Sequence, residues 1–125
     1  MIRTLIDVYR HEGFLPDCRM SLCKGWTQGG SNADALLVDS FIKGITDGID
    51  WDTGYEAIVK DAEEQAPNWK VEGRGQLDSY KTIGYMPTVP GKARSISRTV
   101  EDAYNDYCIA DMAKRTGRDE DHEKN

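Results

Sequence analysis

Four segments of this chain repeat apolar residues at three- and four-residue intervals, and no segment shows the convincing apolar–polar alternation of a half-buried strand. That pattern restricts the fold to helices packed on helices, an all-α class. The first helix is expected from Ile2 to Glu12, with Ile2, Leu5, Ile6 and Tyr9 on one face and Gly13 placed to end it. A second begins at Asn32, where Ser31 and Asp34 make an S-x-x-D capping box and Leu37, Val38, Phe41, Ile42 and Ile45 form a stripe. The third follows Asp50, with Thr53 and Glu56 as further capping groups. It carries Trp51, Tyr55, Ile58, Val59 and Ala62 and cannot pass Pro67. The fourth opens near Ser97 or Thr99 and carries Val100, Tyr104, Cys108 and Met112 toward Gly117, and a shorter helix is expected around Gln76 to Ile83.

The connections alternate long, short, long. Loops 13–31 and 67–97 are long enough to have a function of their own, whereas 47–50 is a tight turn. If consecutive helices run antiparallel, both long loops and the N-termini of the second and fourth helices lie at one end of the bundle. Free backbone N–H groups and positive dipole ends then converge there with QGGSN and SISRTVE, which makes that end the place for a ligand.

Charge excludes some partners. With 16 basic against 22 acidic residues and a net charge of -6, nucleic acid is not expected to bind. No window has the ~18 continuous apolar residues of a membrane span, and MIRTLIDVYR lacks the apolar block of a signal peptide. Ile, Leu, Val and Phe supply only 23 of 125 residues, below the ~20% that an independent core needs, while three Trp and six Tyr suit groove walls and neighbouring surfaces. This composition fits a segment that packs against further protein. Cys18, Cys23 and Cys108 have no metal-ligand spacing and read as free thiols; a zinc site using His11, Cys18 and Cys23 lacks a CxxC pair.

Among the motifs, TQGGSNAD sets two glycines before a helix N-terminus. Phosphate binding, plain capping chemistry and hydroxyl recognition all stay open. No GxxxxGK[ST] loop supports the first, whereas Gln28, Ser31 and Asn32 are neutral groups able both to donate and to accept, as a sugar requires. Trp26 is either an apolar face for a pyranose or a buried anchor. TDGIDWDTG lacks the order of an EF-hand loop and reads as helix capping. Glu101, placed in the first turn of the fourth helix, either stabilises the dipole or faces the ligand end. No Ser/His/Asp or Cys/His set emerges around His11 or His122.

The succession PDCRMSLCKGWTQGGSNADALLVDSFIKG, GIDWDTGYEAIVKDAEE, GYMP and SISRTVEDAYNDYCIADMAKRTG resembles, in collinear order over nearly the whole chain, the catalytic region of glycoside hydrolase family 92, the calcium-dependent exo-α-mannosidases, and its fungal members in particular. The resemblance implies an (α/α)6 toroid, of which this chain holds about four helices and is incomplete, with a β-sandwich domain normally preceding it. Residues 1–118 would be the partial catalytic domain and 119–125 a charged tail opening a further helix. Asp102 departs from the family, which usually has an aromatic there, and the loop TVPGKARSIS is short.

The implied activity is removal of terminal α-mannose from glycans by inverting hydrolysis. The implied partners are mannose-containing glycans, the remaining catalytic-domain helices and the β-sandwich. The acid, the base and the calcium-holding residues of the family lie C-terminal to everything matched here, so no catalytic residue, no metal ligand and no bound calcium are expected of this chain. Trp26, Gln28, Gly29, Gly30 and Asn32, with Glu101, are the expected mannose-site lining. A non-catalytic helical sugar-binding or interaction module is the alternative. Family members are often secreted; the chain itself carries no address.

Overall fold

The computed structural model describes residues 1–16, 18–20, 23–25, 31–90 and 94–118, the two short stretches by backbone alone. Five helices follow the sequence pattern closely: α1 Ile2–Glu12, α2 Asn32–Ile42, α3 Trp51–Glu63, α4 Leu77–Ile83 and α5 Ser95–Arg115. Between α1 and α2, β1 (Cys18–Met20) pairs antiparallel with β2 (Cys23–Gly25). Three residues per strand are too few for an alternating pattern to register, which is why the sequence reading found none. The tail 119–125 and residues 91–93 of the TVPGKARSIS loop lie outside the described residues.

Helices α1, α2, α3 and α5 share one core, with Ile6, Leu15, Leu37, Ile58, Ile109 and Met112 fully enclosed. Gly13 ends α1 in the left-handed conformation, its N–H donating to the Tyr9 carbonyl. Asp50 caps α3 by accepting from the Thr53 N–H at 3.2 Å, so the TDGIDWDTG stretch is a cap as read. The Tyr9 hydroxyl donates to Glu56 at 2.6 Å and Arg10 bridges to Asp50 at 2.7 Å, tying α1 to α3.

Three expectations fail for identifiable reasons. The Ser31–Asp34 capping box is not made: Ser31 caps no N–H, because both side chains are buried and engaged elsewhere. Helix α2 stops at Ile42, leaving Ile42 and Ile45 exposed. The fourth apolar stripe is turned outward at its start, since α5 begins at Ser95 and buries Arg98, Asp102 and Asn105 while Val100 and Tyr104 face out. Ser97 and Thr99 do not cap. Their hydroxyls donate backward to the carbonyls of Arg94 and Ser95, 3.2 and 2.7 Å away.

Loop 64–76 is closely packed. The Gly73 N–H donates to the Leu15 carbonyl at 2.9 Å, and the Ala66 N–H to the Arg74 carbonyl at 3.3 Å. Glycines flank Arg74 because side chains do not fit: a Cβ at Gly73, where φ is 56°, would meet Ala66 at 2.8 Å, and one at Gly75 would meet the Trp69 ring at 2.3 Å. Gly75→Ala is therefore expected to displace Trp69 and to destabilise the chain by about 1–3 kcal/mol, the usual range for overpacking. Urea unfolding checks this, together with near-ultraviolet circular dichroism of the tryptophans; a loss under ~0.5 kcal/mol would contradict it.

Candidate functional site

The first turn of α2, the middle of α5 and loop 64–76 meet around one guanidinium. Arg74, almost fully enclosed, donates from Nη2 to Asp34 Oδ2 at 3.0 Å and from Nη1 to Asp106. The Asp106 carboxylate also accepts from the Tyr80 hydroxyl at 3.0 Å, which brings α4 into the network. Asp61 of α3 closes the other side, accepting from the Ser31 hydroxyl at 2.9 Å and from the Leu15 N–H at 3.4 Å. Asp102 is buried beside them. Its carboxyl lies near Arg74 and Arg98.

Above this network lies Trp69, half-buried, with the Arg98 guanidinium 4.1 Å from its ring centroid. Ser31, Trp69, Arg74, Arg98 and Asp102 line a crevice of about 10 Å³, room for one water molecule. It is a polar joint, too small to admit a sugar ring.

Electrostatics follow from burial. Desolvation pushes the Asp34 carboxyl up to about 6 against the opposing pull of Arg74. Asp61 is pushed well above the usual range, first by burial and then by the charge of Asp34. Asp102 is raised to about 7 by desolvation, opposed by Arg74 and reinforced by Asp34 and Asp106. Burial alone would lower Arg74, but attraction by Asp34, Asp106 and Asp102 outweighs it and raises the guanidinium.

The predicted lining residues fare differently. Trp26, Gln28, Gly29 and Gly30 lie outside the described residues. Asn32 is the exposed first residue of α2, directly after the buried Ser31. Glu101 is half-buried but does not sit in a first turn, because α5 starts at Ser95 and places it in the second. The sequence reading missed Asp61, Trp69, Arg74 and Arg98 altogether. One signal was available: GRG in a loop marks an arginine whose backbone is crowded on both sides.

Set against known proteins, the sequence model of the Glycosyl hydrolase family 92 catalytic domain matches residues 1–125. An uncharacterized secreted glycosidase of Arthroderma benhamiae is 54% identical over 127 residues, covering 96% of this chain and 16% of its own length. The structure of the family GH92 inverting mannosidase from Bacteroides thetaiotaomicron superposes with a TM-score of 0.84 at 29% identity, over 99% of this chain and 17% of that one. The chain thus spans about one sixth of the length of the relatives it matches, and its helices form an incomplete part of an (α/α)6 toroid. Among the described residues no helix is long and apolar enough to cross a membrane.

The buried carboxyls set a pH dependence. A folded pKa above the ~3.9 of an unfolded aspartate means that the stability it contributes is fully present below pH ~4 and is lost as pH rises through about 6 for Asp34 and about 7 for Asp102. Asp50, lowered to about 2 chiefly by its Thr53 hydrogen bonds, acts in a separate window below pH ~4. The urea midpoint is therefore expected to fall between pH 4.5 and 7.5, and Asp102→Asn should flatten the upper part of that slope. A midpoint that rises with pH across this window would contradict the assignment.

Proposed function

This chain belongs to glycoside hydrolase family 92, and on that premise we propose that it forms substrate-site wall in an enzyme that removes terminal α-mannose residues from glycans with inversion. In such a reaction one protonated carboxyl assists the departing aglycone while a second carboxylate activates water across a gap wide enough to hold it. The aspartates around Arg74 are unsuited to either task. Asp34 and Asp106 grip Arg74, Asp61 is held by Ser31 and Leu15, and Asp102 is enclosed. They are mounting, not machinery.

The observation that supports the wall role is the anchoring of the first turn of α2. Asp34 ties that turn through Arg74 to Asp106 of α5, so Ser31 and Asn32 stand at a fixed helix head. Preorganised hydroxyl-binding groups need such a base, because ordering them at the moment of binding costs affinity. Trp26, Gln28, Gly29, Gly30 and Asn32 then line the mannose site, with Glu101 at its edge.

Calcium belongs to this reading through the family alone. Among the described residues no three His, Cys, Asp or Glu side chains are grouped to hold a metal ion, and the aspartate cluster already encloses a guanidinium. These residues do not fit a calcium site, and no step here runs through one.

Two measurements test the reading. The purified chain is expected to release no mannose from an activated aryl α-mannoside, with or without calcium; turnover that disappears in Glu101→Gln would show that this chain carries its own catalytic carboxylate. In a complete homologous enzyme, Trp26→Ala and Asn32→Ala at the corresponding positions should lower kcat/KM roughly 5- to 150-fold, the effect of losing 1–3 kcal/mol of sugar contact. Unchanged kinetics in both would reduce TQGGSNAD to a capping turn.

A further inference from the structure

Asp34 of α2 and Asp61 of α3 meet in the interior. Both side chains are fully enclosed, and the two carboxyls lie within hydrogen-bonding reach of one another. Three of their oxygens have a donor in the chain. Asp34 Oδ2 accepts from Arg74 Nη2 at 3.0 Å, Asp61 Oδ2 from the Ser31 hydroxyl at 2.9 Å and Asp61 Oδ1 from the Leu15 N–H at 3.4 Å. Asp34 Oδ1 has no donor among the described residues, although it is buried. Ser31 cannot serve it as well, because a hydroxyl has one proton and that proton goes to Asp61.

An orphaned buried acceptor is costly, and two adjoining buried carboxylates repel one another. One added proton removes both penalties. We infer that Asp34 and Asp61 hold one proton in common, which completes a hydrogen bond between Asp34 Oδ1 and the Asp61 carboxyl and latches the head of α2 onto α3. A protonated carboxyl gains an O–H donor, and its bond to a carboxylate is of the short, charge-assisted kind. The pair then carries a single negative charge, which Arg74 opposes.

The surroundings favour that count. Arg74 faces the pair from loop 64–76, Asp102, Asp106, Arg98 and Cys108 from α5, and Tyr9 from α1. Asp34, Asp61, Asp102 and Asp106 have only Arg74 and Arg98 as countercharges in this joint, so full ionisation would leave buried negative charge uncancelled. Burial raises both members of the pair, in keeping with a retained proton. The latch is therefore sensitive to pH. Loss of the proton to solvent sets two carboxylates against each other at Ser31 and Leu15, and the Leu15 carbonyl also accepts from the Gly73 N–H of the Arg74 loop at 2.9 Å. This inference does not depend on the mannoside reading.

Carboxyl-carbon NMR of the aspartates in the 125-residue chain tests it. At pH 7 Asp34 and Asp61 together are expected to register one ionisation, however it is divided between them. Two ionisations, or none, would overturn the proposal. Urea unfolding gives a second reading, with Asp102→Asn as the reference chain so that the other raised carboxyl is silent. From pH 6.5 to 7.5 the unfolding constant of that chain should rise about tenfold, the effect of one proton held only in the folded state. Adding Asp61→Asn, whose amide can donate to Asp34 Oδ1 without a titrating proton, should reduce the rise to less than about twofold. A tenfold rise that survives Asp61→Asn would overturn the shared proton. The carbon spectra need no variant, so they decide the question even where a substitution prevents folding.

Discussion

The arrangement of this chain depends on a buried arginine. Arg74 lies in an irregular loop, yet its guanidinium holds Asp34 of α2 and Asp106 of α5, the two helices that pack most extensively on one another. Removing a guanidinium and its carboxylates from water costs several kcal/mol per ion, and only close, hydrogen-bonded opposition offsets that. Here the offset is incomplete. Among the described residues, Asp34 Oδ1, the Arg74 Nε and the side-chain amide of Asn105 are buried without a hydrogen-bond partner. Such a joint adds little net stability over an apolar core, but it makes every misalignment of α2 on α5 expensive, because a shifted helix strands a charge.

This explains why a chain poor in aliphatic residues still has a defined interior. The apolar cluster around Ile6, Leu37, Ile58 and Ile109 holds the helices together. The polar joint at one end fixes how they are set. Trp69 covers that joint, stacked between Arg98 and the glycine at 75, so the loop is held by an aromatic lid as well as by charge. The bare side of α5 is the complement of this design: the helix turns its polar residues inward to Arg74 and leaves Ile96, Val100 and Tyr107 outside.

Helix positions were legible in the sequence, since apolar periodicity and terminators such as Gly13 and Pro67 act locally. The orientation of α5 was not. Apolar residues at 100, 104, 108 and 112 look like one core stripe; Cys108 and Met112 are indeed in the core, but toward the start of the helix Arg98, Asp102 and Asn105 turn inward beside Arg74 and Val100 and Tyr104 face out. Ser31 and Asp34 failed as a capping box for the same reason: the motif is local, but burial gave its oxygens partners 30 and 40 residues away. Asp102 stood out in the sequence as a charge on an otherwise apolar-looking helix, without any sign of the guanidinium near it. Of the residues proposed to line a sugar site, Asn32 stands at the head of α2 as the sequence suggested, whereas the first-turn position expected for Glu101 moved with the earlier start of α5.

The central claim is that Arg74 and Asp34 act as one unit, and a double-mutant cycle measures that directly. Arg74→Met, Asp34→Asn and the double variant are compared with the parent chain by urea unfolding at pH 7.5, where Asp34 is ionised. The account predicts a double variant that loses clearly less than the sum of the singles, a coupling of about 1.5–3 kcal/mol, because Arg74→Met leaves the Asp34 carboxylate buried without its guanidinium and the double variant no longer carries that charge. Additivity within about 0.5 kcal/mol would contradict it and make Arg74 an occupant of the interior without a role in setting α2 against α5.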